Sequence, residues 1–235
     1  MTEAEWLACA DPTPMLEFLR GKASDRKLRL FACACVRRIW RLLCAGECRN
    51  AVEGTELYAD GRLSEGEFFS VFRSAADALD GISGRSAIYA ASAAGFCARW
   101  VFADENHTQW EPGEALSDAQ FAAKQAARAF HPSTDKQRSA QATLVLDVFG
   151  NPFRPSPPFP PAVLAWNDRT VPRIAQCVYD DRKMPEGWLD TARLDVLADA
   201  LLDAGCEDEA LIQHCREQGP HVRGCWAVDA ILGKE

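Results

Sequence analysis

Ser24-Asp25-Arg26-Lys27-Leu28-Arg29-Leu30-Phe31-Ala32-Cys33-Ala34-Cys35-Val36-Arg37-Arg38-Ile39-Trp40-Arg41-Leu42-Leu43 is the stretch whose reading decides the fold. Leu28, Phe31, Ala32, Cys35, Ile39, Leu42 and Leu43 recur at steps of three and four, a spacing that lays one apolar stripe along a helix. Ser24 stands where a helix cap belongs, and Gly46 marks the expected end. Arg26, Arg37, Arg38 and Arg41 fall largely off the stripe. Cys33 and Cys35 are two apart, hence on opposite sides of a helix, and cannot grip one metal ion together.

Outward from this stretch the same signals recur. Thr2-x-x-Glu5 and Ser64-x-x-Glu67 are capping boxes. Thr13-Pro14 opens a helix that Gly21 ends. A helix is expected over 47–60 with Gly61 behind it. Another starts at Ser64 and carries Phe68, Phe69, Phe72, Ala76 and Leu79. The stretch 85–103 is rich in Ala, Ser and Gly before Phe96, Trp100 and Phe102, so a second helix can approach it closely. Ser117-x-x-Gln120 opens a helix that Pro132 ends, and a further helix is expected over 133–149 with Gly150 as its stop. Toward the C-terminus, helices are expected over 171–182, 188–204, 207–216 and 221–232, with Gly205 and Gly233 as stops. No run alternates with period two, so no strand is expected. The reading is an all-α protein, a compact bundle of eight to ten helices with no fixed-period repeat.

Six prolines within residues 152–161 interrupt the pattern. Each removes a backbone donor and restricts its predecessor, so no helix survives them. The expected organisation is a helical region over 1–150, a proline-rich connector over 151–162 and a helical region over 163–235, packed together as one unit. The connector is either a polyproline recognition element or a stiff strap across a neighbouring surface; the strap is the commoner outcome.

The chain has 235 residues, 48% hydrophobic and 26% charged, with a net charge of −8. This composition excludes intrinsic disorder, a collagen-like repeat and a blanket nucleic-acid coat. No charge-free apolar run reaches the length of a membrane span, and the acidic start does not resemble a signal peptide. A cytoplasmic protein with reduced cysteines is expected. Charge is uneven. Residues 20–49 hold nine basic and two acidic residues, between two acidic flanks. Arg26, Arg37, Arg38 and Arg41 are therefore candidates for binding an acidic partner or a phosphate backbone. The alternative is that they neutralise the acidic remainder of the same molecule. Nucleic acid is the lesser expectation, since the whole chain is acidic.

The segment 206–225 carries the one concentration of reactive side chains: Cys206, His214, Cys215, His221 and Cys225. Zinc takes four soft or imidazole ligands in a tetrahedron. Cys215, His221 and Cys225 can supply three, with His221 and Cys225 one helical turn apart, and Cys206 the fourth. The spacing matches no standard finger and contains no Cys-x-x-Cys. Free cysteine also packs as a small hydrophobe, so a helix junction explains the same residues. A thiol nucleophile at Cys215 would need His221 across the Gly219-Pro220 turn, with Asp229 orienting it. His214 and Cys215 point about 100° apart on a helix and form no dyad by themselves. The sequence has no phosphate-cradling glycine loop, nucleophile elbow or His-Glu-x-x-His motif.

Particular phrases carry a resemblance. Met1-Thr2-Glu3-Ala4-Glu5-Trp6-Leu7 leads to the run from Pro14 through Cys35. Later come Phe149-Gly150-Asn151-Pro152-Phe153-Arg154-Pro155 and Gly219-Pro220-His221-Val222-Arg223-Gly224-Cys225-Trp226. Together these resemble a paralogous family of uncharacterised proteins abundant in planctomycete, notably Gemmata-like, bacteria. The resemblance spans both ends of the chain, while the middle, about residues 60–135, looks freely variable. It implies a bacterial cytosolic helical protein and carries no catalytic residue across. The functional expectation is a non-enzymatic interaction or regulatory module with a protein partner and no cofactor. The alternatives are a zinc- or thiol-dependent enzyme centred on residues 206–225, and a nucleic-acid binder using residues 20–49.

Overall fold

A computed structural model describes residues 1–98, 114–129, 134–154 and 159–234. Trp100, Phe102, Trp110, Pro132, Pro155, Pro157 and Pro158 lie outside them. Twelve α-helices stand among the described residues: α1 (Glu3–Leu7), α2 (Pro12–Phe18), α3 (Asp25–Arg37), α4 (Gly46–Ala59), α5 (Glu65–Ala78), α6 (Arg85–Ala98), α7 (Glu114–Ala129), α8 (Thr134–Phe149), α9 (Pro161–Asp180), α10 (Thr191–Asp203), α11 (Glu209–Arg216) and α12 (Trp226–Leu232). The fold class is all-α, with more helices than the expected eight to ten. Three of them are short, with five residues in α1 and seven in α2 and α12. Among the described residues there is no strand; only isolated antiparallel bridges occur, Lys183 with Trp188 and Trp188 with Val222. No described helix is long and apolar enough to cross a membrane.

The chain divides into two compact units, Met1–Val145 and Leu146–Glu235. The division falls inside α8, ahead of the proline-rich segment.

In the first unit α3 is the central element, packed against α4, α6 and α7. Ser24 caps it through the Lys27 N–H. From Leu28 to Arg37 every side chain is buried, so α3 has no solvent face in that span. This changes the standing of its arginines. Arg37 is 2% exposed and grips Glu56 of α4 with two bonds, Nε to Oε1 at 2.6 Å and Nη2 to Oε2 at 2.9 Å. Burial opposes its charge, but the Glu56 carboxylate more than offsets this and holds the guanidinium above its ordinary pKa. Arg26 pairs with Asp60 at 3.0 Å, and Arg38 donates to Gln137 at 3.4 Å. Of the four arginines expected to meet a partner, Arg41 alone is exposed, in a short 3-10 turn at Trp40–Leu42. The periodicity located the stripe as far as Cys35, but α3 ends at Arg37, so Ile39, Leu42 and Leu43 lie beyond it, and Gly46, expected to end this helix, opens α4 instead. Nor could periodicity reveal that other helices cover the opposite face of α3 as well.

Small residues do let helices close up, as expected. Ala90, Ala91, Ala93 and Ala94 of α6 are buried, as are Ala119, Ala122, Ala123 and Ala126 of α7, which packs on α6. In α4, Gly54 lies under Val71 of α5, whose Cγ1 would stand 2.9 Å from any Cβ there.

The second unit is built on a core of Val171, Ala175, Val178 and Tyr179 from α9, Leu194, Leu197 and Leu201 from α10, Leu211 from α11 and Val228 and Ile231 from α12. α9 packs on α10 and α12, and α10 on α11. Within α9 the helix breaks at residues 166–169. Trp166 is extended, and Asn167, Asp168 and Arg169 have φ of 45°, 55° and 61°. This left-handed turn precedes Thr170, whose hydroxyl donates to the Asn167 carbonyl. The long straight part of α9 therefore begins close to where periodicity expected a helix, at Val171.

Candidate metal centre

Asp147 sits in the last turn of α8 and is 4% exposed. A buried carboxylate at the negative end of a helix is doubly unfavourable unless something compensates it. The compensation comes from residues far along the chain. The Val222 N–H donates to Asp147 Oδ2 at 2.8 Å. His221 Nδ1 lies 2.8 Å from Oδ1, and His214 Nε2 lies 3.2 Å from the same oxygen. Burial alone would raise the Asp147 pKa, but the two imidazoles outweigh it and hold the carboxyl at about 2.

His214 lies near the end of α11. Its Nε2 also lies 3.2 Å from Cys225 Sγ. His221 and Cys225 precede α12 rather than sharing a face of it, and Cys225 is the residue that caps it. Gly224, with φ of 90°, turns the chain between His221 and Cys225. The expected spacing of one helical turn is therefore replaced by a loop that folds both side chains back toward Asp147.

Asp147, His214, His221 and Cys225 each offer a donor atom, and the four atoms all lie within 4.8 Å of one another. In a tetrahedral zinc site, bonds of about 2.0–2.3 Å set neighbouring donors roughly 3.3–3.6 Å apart. The two 3.2 Å contacts are near that edge length, the 2.8 Å contact is shorter and of hydrogen-bond length, and the remaining pairs lie within 4.8 Å.

The outer ring nitrogens sharpen the point. His221 Nε2 faces the Glu217 carbonyl at 3.0 Å, and a carbonyl only accepts, so Nε2 carries a hydrogen and donates. A neutral His221 then presents its Nδ1 lone pair to the Asp147 carboxylate. Two acceptors 2.8 Å apart need a proton or a metal cation between them. Burial lowers the His221 pKa, but the Asp147 carboxylate and the Glu217 carbonyl raise it more. His214 presents Nδ1 to Glu217 Oε2 at 3.6 Å. Each imidazole thus has one nitrogen facing the cluster and one facing Glu217, the arrangement in which outer partners orient metal-binding histidines.

The Cys225 thiol is wholly buried and pushed well above its ordinary pKa, by burial first and then by the Asp147 charge. Backbone N–H groups of Val228 and Ala227 act against that rise by pointing at the sulfur.

The four zinc candidates of the sequence separate into two pairs. His221 and Cys225 join the cluster. Cys206 and Cys215 do not: both belong to the apolar core of the second unit. Burial, then the neighbouring Asp147 charge, push the Cys215 thiol up to about 12, which keeps it protonated and non-nucleophilic at neutral pH. This runs against a Cys215–His221–Asp229 nucleophile. The geometry also differs from a thiol relay, in which a cysteine and an acid address opposite nitrogens of one imidazole. Here Cys225 and Asp147 meet the same nitrogen of His214. No disulfide joins any of the nine cysteines whose side chains are described.

Asp147 and His214 complete the group and were not among the four. Signals for both existed. Asp147 interrupts the apolar run Leu144-Val145-Leu146-Asp147-Val148-Phe149. On α11, Leu211 and Cys215 are four apart and both face the core, which places His214 on the flank.

Gly150 bounds the site. Its φ is 64°, and a Cβ there would stand 3.0 Å from Cγ of Trp226, whose ring lies 5.0 Å from that of His214. Gly150→Ala should cost at least ~1–2 kcal/mol for the left-handed backbone alone, plus displacement of the indole. A lowered urea midpoint would register it; an unchanged midpoint would contradict this account.

No family model, curated protein or solved structure matches the chain.

Proposed function

We propose that residues 146–234 form a metal-binding helical unit. In it Asp147, His214, His221 and Cys225 hold one four-coordinate divalent transition-metal ion as a structural cross-link. The observation that carries this is the convergence of a carboxylate oxygen, two imidazole nitrogens and a thiol sulfur within 4.8 Å. Zinc is the best fit. Nitrogen and sulfur donors disfavour calcium and magnesium, which take oxygen ligands, and a single thiolate does not suit an iron–sulfur cluster. Asp147 Oδ2 is engaged by the Val222 N–H, which leaves Oδ1 as a single ligand atom. Four protein donors fill a tetrahedron and leave no position for substrate, so the role is structural rather than catalytic. The whole chain then reads as a non-enzymatic binding module.

Elemental analysis of full-length protein purified without chelator tests this. About one equivalent of metal per chain is expected, and Co2+ substitution should produce tetrahedral ligand-field bands with a sulfur-to-cobalt charge-transfer band. Failure to take up either Zn2+ or Co2+ would overturn the proposal.

A further inference from the structure

The four ligands are not equally sheltered. Side-chain exposure is 2% at His221, 4% at Asp147 and 11% at His214. Cys225 is wholly buried. His214 is thus the edge of the cluster nearest solvent, and the group beside it there is Glu217, whose side chain is 55% exposed. Glu217 follows the last residue of α11 and is extended, with φ of −66° and ψ of 140°. That conformation turns its carbonyl toward His221 Nε2 at 3.0 Å, while its carboxylate stays 3.6 Å from His214 Nδ1. The neighbouring Arg216 pairs instead with Asp199 at 2.7 Å and does not neutralise Glu217.

Resting on the metal-binding reading, we infer that Glu217 is the positioning residue that governs metal exchange at this centre, with its carboxylate beside His214, the most exposed of the four ligands. Its two contacts differ in kind. The backbone carbonyl accepts from His221 Nε2 whatever the side chain is. The carboxylate lies 3.6 Å from His214 Nδ1, where its charge favours the ring orientation with Nε2 inward, and it reaches His221 only as a more distant charge. His214 is the ligand whose outward swing would open the centre, because the other three are more deeply buried. Glu217 itself reaches no donor position and is not a ligand.

The test uses full-length Zn2+-loaded protein mixed with a chromophoric chelator, following the rate of transfer. Glu217→Ala should release zinc about 10–100-fold faster, the usual scale for losing such an outer partner. Glu217→Gln, which keeps an acceptor oxygen but no charge, should fall between. Glu209→Gln, at the far end of α11, serves as a control and should match the wild type. The Co2+ spectrum of Glu217→Ala should keep its four-ligand intensity, which a lost ligand would not. Equal release rates in Glu217→Ala and wild type, with both binding one equivalent, would overturn this inference and leave the metal site standing. A wild-type protein that binds no zinc would instead remove the reading on which it rests.

Discussion

Zinc added to the metal-free protein should stabilise the second unit by about 4 kcal/mol when the free ion is a thousandfold above its dissociation constant. The ion binds four side chains that are together only in the folded state, so binding energy becomes folding energy. Asp147→Asn is the cleanest way to remove the effect. It keeps the shape and an acceptor for the Val222 N–H at Oδ2 but removes the carboxylate charge. Cys225→Ala should abolish the zinc-dependent shift as well. Cys215→Ala should not: it opens a small core cavity and lowers stability with and without zinc, but the shift survives. Urea unfolding of the full chain with and without zinc distinguishes these outcomes. A shift lost equally in Cys215→Ala and Cys225→Ala would mean that zinc acts elsewhere.

The pH dependence has opposite signs in the two states. Without metal, Asp147 has a depressed pKa, so its contribution is present above its unfolded value near 3.9 and is lost as pH falls toward about 2. His221 has a raised pKa, so its contribution is complete below its unfolded value near 6.5 and disappears as pH rises through the folded value. The cluster therefore stabilises metal-free protein most between about pH 4 and 6.5. Zinc requires neutral imidazoles and a thiolate, so its contribution grows as pH rises. The zinc-induced shift should be small at the acid end of that window and large above neutrality.

Arg37→Met should be the most damaging single substitution in the first unit, at about 3–5 kcal/mol, because it leaves the Glu56 carboxylate buried without a counter-charge. Glu56 is 3% exposed and cannot turn to water without opening α3 from α4. The double variant Arg37→Met/Glu56→Leu should recover most of the loss, since neither charge then remains to be desolvated. Arg41→Ala, at an exposed position, should change stability by no more than about 0.5 kcal/mol. The comparison separates an internal ion pair from a solvent-facing binding stripe. If Arg37→Met and Arg41→Ala have equal urea midpoints, the buried pair carries no structural weight.

What was local was legible. The Thr2–Glu5 and Ser64–Glu67 boxes form as expected, and Ser24 caps the helix assigned to it. Gly61, Gly150, Gly205 and Gly233 all adopt positive φ where helices were expected to stop. Such signals act within a turn of the chain, between groups a few residues apart. Two of them failed: Gly46, expected to end α3, opens α4, and Ser117, expected to open a helix, lies inside α7.

The left-handed turn at Asn167–Arg169 had only a faint signal: it contains no glycine, and the Asn167-Asp168 pair, which tolerates positive φ, is common in many other settings. The arginines of α3 show the same division. Amino-acid spacing set which face of the helix is apolar, but whether Arg37 meets water or Glu56 depended on where α4 lies. The metal centre is the extreme case. His221 and Cys225 were visible as a short-range pair, but Asp147 precedes His221 by 74 residues and enters through the end of a different helix. By itself, the sequence determined that the chain is helical and where several of its helices are capped, since those preferences act within a few residues. Only the tertiary structure decided which polar groups share a buried space, because that depends on how helices pack across the chain, which local periodicity does not encode.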